Sequence, residues 1–161
     1  NIKMISLMSR KMKIVAYSLF IIFLDQVSKF LVLSTLGFER SKNVIPNLLN
    51  FTLVKNKGAA FSLFSNSTSI LTVASVLATL LLITIIFKSP PKSYWNFIGL
   101  AYLLGGTVGN GIDRLFKGYV LDFFELIPIN FPIFNIADIS INIAIVCFIV
   151  NIIKDNSRIN Y

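Results

Sequence analysis

Histidine is missing from all 161 residues. That removes Ser-His-Asp chemistry, imidazole general bases and most zinc sites together. A single cysteine, Cys147, lies inside an apolar run. It excludes an internal disulfide and reads as a small core side chain. Charge is also scarce. Only 14% of residues are charged, where a soluble domain has about 25%. Acids are the scarcest, seven against fifteen Lys and Arg. Any chemistry must come from carboxylates, Lys, Arg, hydroxyls or amides.

What is present is apolar surface: 55% of residues are hydrophobic. One multi-spanning membrane domain over residues 1–161 is the expected class. The net charge of +8 does not indicate nucleic acid, because no basic face or aromatic-basic pattern accompanies it. The basic residues sit at the ends of apolar segments, where they orient a membrane protein.

Four runs read as spans, at 14–36, 70–87, 95–112 and 136–153, each near the ~20 residues that cross a bilayer. Residues 1–13 are polar and basic, with Met4, Met8 and Met12 as possible starts. A cleaved leader is opposed by the length of the first run and by Asp25 and Lys29 within it. KSPPKS at 88–93 forms a stiff helical hairpin, followed by interfacial aromatics at Tyr94 and Trp95. Outer loops are expected at 37–69 and 113–135. Within the first, Leu49, Phe51 and Leu53 alternate as in a strand with one face against apolar material, and Gly58 marks a turn or a close backbone approach.

Four spans put both termini on one side. That side carries eight Lys/Arg in 28 residues; the other carries six in 56. The denser side is expected to be cytoplasmic. The topology then gathers Asp25, Lys29, Asn56, Asn110, Asp113, Arg114, Asp122 and Asp138 near the outer interface.

Asp25 and Lys29, four apart, share a helix face and read first as a structural ion pair. Gly106, Asn110 and Arg114 make a stripe, with Arg114 either holding an anion or carbonyl or snorkelling beside Asp113 as its counter-ion. Asn135, Asp138 and Asn142 make a second stripe. Asp122 and Asp138 have apolar neighbours, which raises a carboxyl pKa. Brought together by a returning loop they form an acid and a base around one water; kept apart they are unrelated structural acids. The segment FFELIPINFPIF between them is apolar and loop-like, either a cover for the site or an interfacial linker.

Five pieces occur in order: Asp25-Gln26-x-x-Lys29, Asn56-x-Gly58-Ala59-Ala60-Phe61, Gly106-x-x-Gly109-Asn110-x-x-Asp113-Arg114, Val120-x-Asp122-Phe123 and Phe134-Asn135-x-Ala137-Asp138. In this order the chain resembles the signal peptidase II family, the bacterial lipoprotein signal peptidases, from Met12 to about Lys154. The resemblance implies an all-α membrane fold of four transmembrane helices, a small extracytoplasmic β-sheet drawing on 43–57, and a lid after Asp122. It implies an aspartic endopeptidase without cofactor or metal, with Asp122 and Asp138 as the catalytic pair. Its substrates would be prolipoproteins cut before a diacylglyceryl-modified cysteine, and its other partner membrane lipid; a monomer in the cell membrane is expected. Asn56, Gly106, Asn110, Arg114, Asn135 and Ala137 would line the site, with Asp25 and Lys29 in support. Gly111 stands where a bulkier residue is expected, which would loosen that helix end. Two rivals remain at this point. One is a Ser-Lys hydrolase built on Ser28 or Ser34 with Lys29, although adjacent helical residues point ~100° apart. The other is a channel or transporter subunit with Asp25, Lys29 and Arg114 along a path.

Overall fold

The computed structural model describes residues 2–38, 40–58 and 68–159, with side chains described from residue 10 to residue 157 of these. Ala59, Ala60 and Phe61 of the second motif lie outside the described residues, as do the side chains of Lys3 and Arg158. Among the described residues, four helices and three strands follow in the order α1 (Ile2–Leu36), β1 (Ser41–Ile45), β2 (Leu49–Asn56), α2 (Thr68–Lys88), α3 (Tyr94–Lys117), β3 (Val120–Leu126) and α4 (Ile136–Ile159).

Among the described residues, three helical segments are long and apolar enough to cross a membrane: Arg10–Leu36, Thr68–Lys88 and Ile136–Ser157. The expected third run at 95–112 is helical but is not among them, and the reason is its place in the bundle. α3 packs against α1, α2 and α4. Its buried residues include Gly105, Gly106, Gly109, Asn110 and Asp113. A central helix turns its residues to protein and so has less need of apolar side chains. Every run is also longer as a helix than its apolar stretch, because charged ends continue the helix past the hydrophobic segment. α3 passes unbroken through Gly111 to Lys117, so the expected loosening there is not seen. It ends at Gly118, whose φ of 75° is left-handed and whose N–H donates to the Arg114 carbonyl.

Glycines set the helix spacing around α3. A Cβ on Gly106 would lie 2.5 Å from the Ala137 carbonyl oxygen, and one on Gly109 would lie 2.8 Å from Asp25 Oδ2. At the end near residues 89–93, Ile14, Leu82, Ile86, Leu100, Ala101 and Leu104 form a buried apolar cluster. Ser93 caps α3 and bonds Asn151 of α4. Arg10 donates to the carbonyls of Pro91 and Lys92, which ties α1 to that turn.

The sheet stands at the opposite end. Its order is β1-β2-β3, antiparallel throughout. β1 and β2 join through a turn at Asn47, which takes a φ of 59°. Leu53 is fully buried with Val32, Leu121 and Phe123, and Phe51 packs beside them, so the expected apolar face is seen at these two positions, while Leu49 is not part of the cluster. The other face carries Thr52 and Asn50, both bonded to Glu125. Residues 120–126, expected as loop, are the third strand. The segment assigned to cover the site is therefore divided. Phe123 is buried sheet core, and only the turn at 127–130 and the return to Phe134 stay outside regular structure. No helix occurs in that return.

Candidate active site

Strand β3 carries Asp122, and the chain then turns and comes back alongside it. The Phe123 and Phe124 amides donate to the Phe134 carbonyl at 3.1 and 2.8 Å, and the Phe134 amide donates to the Phe124 carbonyl at 3.1 Å. This bridge delivers Asn135 beside Asp122 and starts α4 there. The sixteen-residue gap between the two aspartates is closed by a hairpin-like return.

Asn135 immediately precedes α4, and Asp138 is the third residue of that helix. Their contacts are reciprocal. The Asp138 amide donates to Asn135 Oδ1 at 2.9 Å, and the Asn135 amide donates to Asp138 Oδ2 at 3.1 Å. That is a capping box, with Asp in the place of the usual Glu. The spare end of the same side chain reaches the other aspartate: Asn135 Nδ2 donates to Asp122 Oδ1 at 2.6 Å. It also donates to Asn110 Oδ1 at 3.0 Å. Asn110 Nδ2 in turn donates to Asp138 Oδ1 at 2.8 Å. On the sheet side, Asn56 Nδ2 donates to Asp122 Oδ2 at 2.9 Å, while its Oδ1 accepts from the Gly58 amide at 2.9 Å. Gly58 thus lies in a bend closed on the Asn56 side chain, the turn that its position suggested. Three asparagines from three elements hold the two carboxylates.

Both aspartates line a cavity of about 960 Å³, with Asn56, Asn110, Arg114 and Asn142. Its far wall is the return segment, including Ile129, Pro132 and Phe134. Arg114 is half-buried, and its guanidinium makes no hydrogen bond or ion pair with any described residue. Its charge faces Asp138 and Asp122. The expectation that Asp113 is its counter-ion is not met, because Asp113 is held elsewhere.

Gly106, Asn135 and Ala137 do not line the cavity. Asn135 and Ala137 are fully buried behind it, and Gly106 receives the Ala137 carbonyl. Asp25 and Lys29 are also fully buried and off the cavity. Lys29 Nζ lies 2.7 Å from Asp25 Oδ2 and 2.9 Å from Asp113 Oδ2. The expected ion pair is thus one half of a triplet. Asp113 is the third member; the sequence offered it only as a motif position and a counter-ion for Arg114, with no sign of its contact with Lys29. Lys117 adds an outer contact to Asp113 at 2.7 Å. The Ser28 hydroxyl donates to the Asp25 carbonyl and that of Ser34 to the Leu31 carbonyl, while the Lys29 ammonium is shared by two acids. No Ser-Lys pair is assembled. Among the described residues no cluster of His, Cys, Asp and Glu has the form of a metal site.

Burial is the main influence on Asp122, and the charge of Asp138 adds to it; together they push its pKa up to about 7. Donation from Asn56 and Asn135, and the field of Lys29, work in the opposite direction. A partly exposed acid beside a buried one that keeps its proton to neutrality is an arrangement able to activate water.

The sequence model of a family described as signal peptidase (SPase) II matches residues 17–154. The chain is 47% identical over 134 residues to the lipoprotein signal peptidase of Parasynechococcus marenigrum strain WH8102, covering 82% of this chain and 83% of that one. It is 36% identical over 152 residues to the lipoprotein signal peptidase of Streptococcus agalactiae serotype Ia, covering 94% and 99%. A solved structure described as a bacterial membrane enzyme superposes with a TM-score of 0.84 at 30% identity, covering 91% of this chain and 90% of that one. The family and the three apolar helices together place the protein in a bacterial membrane. The chain belongs to the signal peptidase II family.

Proposed function

We propose that the protein is a membrane aspartic endopeptidase that removes the signal peptide from prolipoproteins, cutting before the diacylglyceryl-modified cysteine. The family membership supports the substrate class. The observation that carries the mechanism is that Asp122 and Asp138 line one cavity, share Asn135 as a donor and differ in burial. Asp122 keeps the proton, and Asp138 serves as the base. Asp138 takes a proton from water as the water oxygen attacks the scissile carbonyl, and Asp122 protonates the carbonyl oxygen. The tetrahedral diol collapses, the C–N bond breaks, and the proton held by Asp138 goes to the leaving amine. One diol hydroxyl returns its proton to Asp122. Arg114, whose guanidinium has no partner among the described residues, holds a substrate carbonyl near the cut.

The whole chain acts as one integral domain and as a monomer. α3 is its fourth crossing, and both termini are cytoplasmic, as the basic flanks indicate. The site then lies at the outer interface, where a diacylated cysteine with its chains in the leaflet presents the bond at the depth of the dyad. The test is reconstitution in lipid vesicles with a diacylglyceryl-modified precursor and with the same precursor unmodified, products being mapped by mass spectrometry. A product beginning at the modified cysteine, from the modified precursor only, is expected. Cleavage elsewhere, or equal cleavage of both, contradicts the assignment.

A further inference from the structure

The buried triplet takes no part in the mechanism above, yet its carboxylates touch the backbone at two telling places. Asp113 Oδ2 accepts from the Leu121 amide at 3.2 Å, and Asp25 Oδ1 accepts from the Ala137 amide at 3.0 Å. Leu121 precedes Asp122, and Ala137 precedes Asp138. Each proposed catalytic aspartate therefore follows a residue whose N–H is gripped by one acid of the triplet. Lys29 joins the two acids, at 2.7 and 2.9 Å. It also donates to Asn110 Oδ1 at 3.2 Å, and Asn110 touches Asp138. All three members of the triplet are fully buried.

We propose that Asp25, Lys29 and Asp113 form a clamp that sets the separation of Asp122 and Asp138, and that Asp113 is the positioning residue for Asp122. β3 is an edge strand, so the outward Leu121 N–H has no partner in the ladder. Asp113 supplies it from α3 and locks the strand to the helix that carries Asn110 and Arg114. Asp25 does the same for the first turn of α4. The two anchor points come from different helices, α3 and α1, and Lys29 fixes the distance between them. Displacement of a reacting group by ~1 Å costs up to about 10²-fold in rate, so the clamp bears on turnover more than on binding.

The inference rests on the dyad reading, and the experiment separates the two. Asp113→Ala removes the acceptor. Asp113→Asn retains one acceptor oxygen and leaves Lys29 paired with Asp25. Both are assayed in lipid vesicles with a diacylglyceryl-modified precursor, with rates expressed per folded molecule from thermal unfolding in detergent. Asp122→Asn is run alongside. Expected values of kcat fall about 10²-fold for Ala and about tenfold for Asn, with KM within about twofold of the parent. The alkaline limb of the pH profile also moves. Asp122 sets that limb, and it is faced by Asp138, Arg114 and Lys29, with Lys55 and Lys57 on the cavity wall. An Asn variant that folds and keeps the parental kcat and pH profile overturns the clamp. If Ala fails to fold, Asn alone decides. Full activity in Asp122→Asn overturns the dyad instead, whatever Asp113 does.

Discussion

Asn135 shows how much one side chain does at this site. Its oxygen caps α4 through the Asp138 amide, and its nitrogen serves Asp122. The sequence pattern Asn-x-x-Asp marks such a cap, and NIAD displays it, but nothing in the spacing says that the spare amide reaches a strand. The two aspartates stood out because apolar flanks around a carboxylate are unusual, but the flanks left them either a pair or two unrelated acids, and only the order of the five motifs joined them. The role of Asp113 was not legible, because its partners Lys29 and the Leu121 amide come from other elements and leave no local mark. At this scale the account has a pH signature. Asp122 binds its proton up to about 7, whereas an ordinary carboxylate releases it near 3.8. Between those values the folded chain holds a proton that the unfolded chain has lost, so stability falls as pH rises through the window. The singly protonated dyad is lost above it. The expected kcat is highest below ~7 and declines on the alkaline side, measured on vesicle-reconstituted enzyme. A profile flat from about pH 6 to about pH 9 contradicts Asp122 as the proton carrier.

Among the elements, α3 decides the arrangement. Its glycines admit α1 and α4 closely enough for Asp25 to reach Ala137 and for Asn110 to reach Asp138. Gly106 and Gly109 were visible in the sequence as motif positions beside Asn110. The centrality of α3 was not, because hydropathy reports what faces lipid and α3 is shielded by its neighbours. β3 was missed for a related reason: VLDFFEL is short, carries two acids and borders a turn, so only its pairing with β2 makes it a strand. Two glycines give a paired prediction. Gly106→Val drives a branched side chain into the Ala137 carbonyl and Ile141, and is expected to cost about 1–3 kcal/mol and to reduce activity with it. Gly111→Ala meets only the Ser75 Cβ at 3.4 Å, an ordinary contact, and is expected to be neutral or to add up to about 1 kcal/mol of helix stability. Thermal unfolding in detergent compares them; equal effects contradict the packing account.

Across the whole molecule, polar groups are divided by end. One end holds Arg10 on the turn carbonyls and Lys154 over Trp95; the other holds the sheet, the triplet and the cavity. Basic flanks and the order of the spans make this polarity readable in the sequence, since both depend on composition alone. The cavity was not readable, because it is enclosed by a sheet edge and a return that meet only in three dimensions. The proposed topology puts residue 92 in the cytoplasm and residue 130 outside. Single cysteines at these positions in a Cys147→Ser background are expected to react with an impermeant maleimide only from their own sides. Labelling of both from one side contradicts four crossings. The central claim remains the pair of aspartates around one water. Its most direct test is cleavage of a diacylglyceryl-modified prolipoprotein by Asp122→Asn and Asp138→Asn, each first shown to insert and fold like the parent. The account predicts no cleavage by either. Parental cleavage by one of them would contradict the role of that residue and, with it, the two-aspartate mechanism.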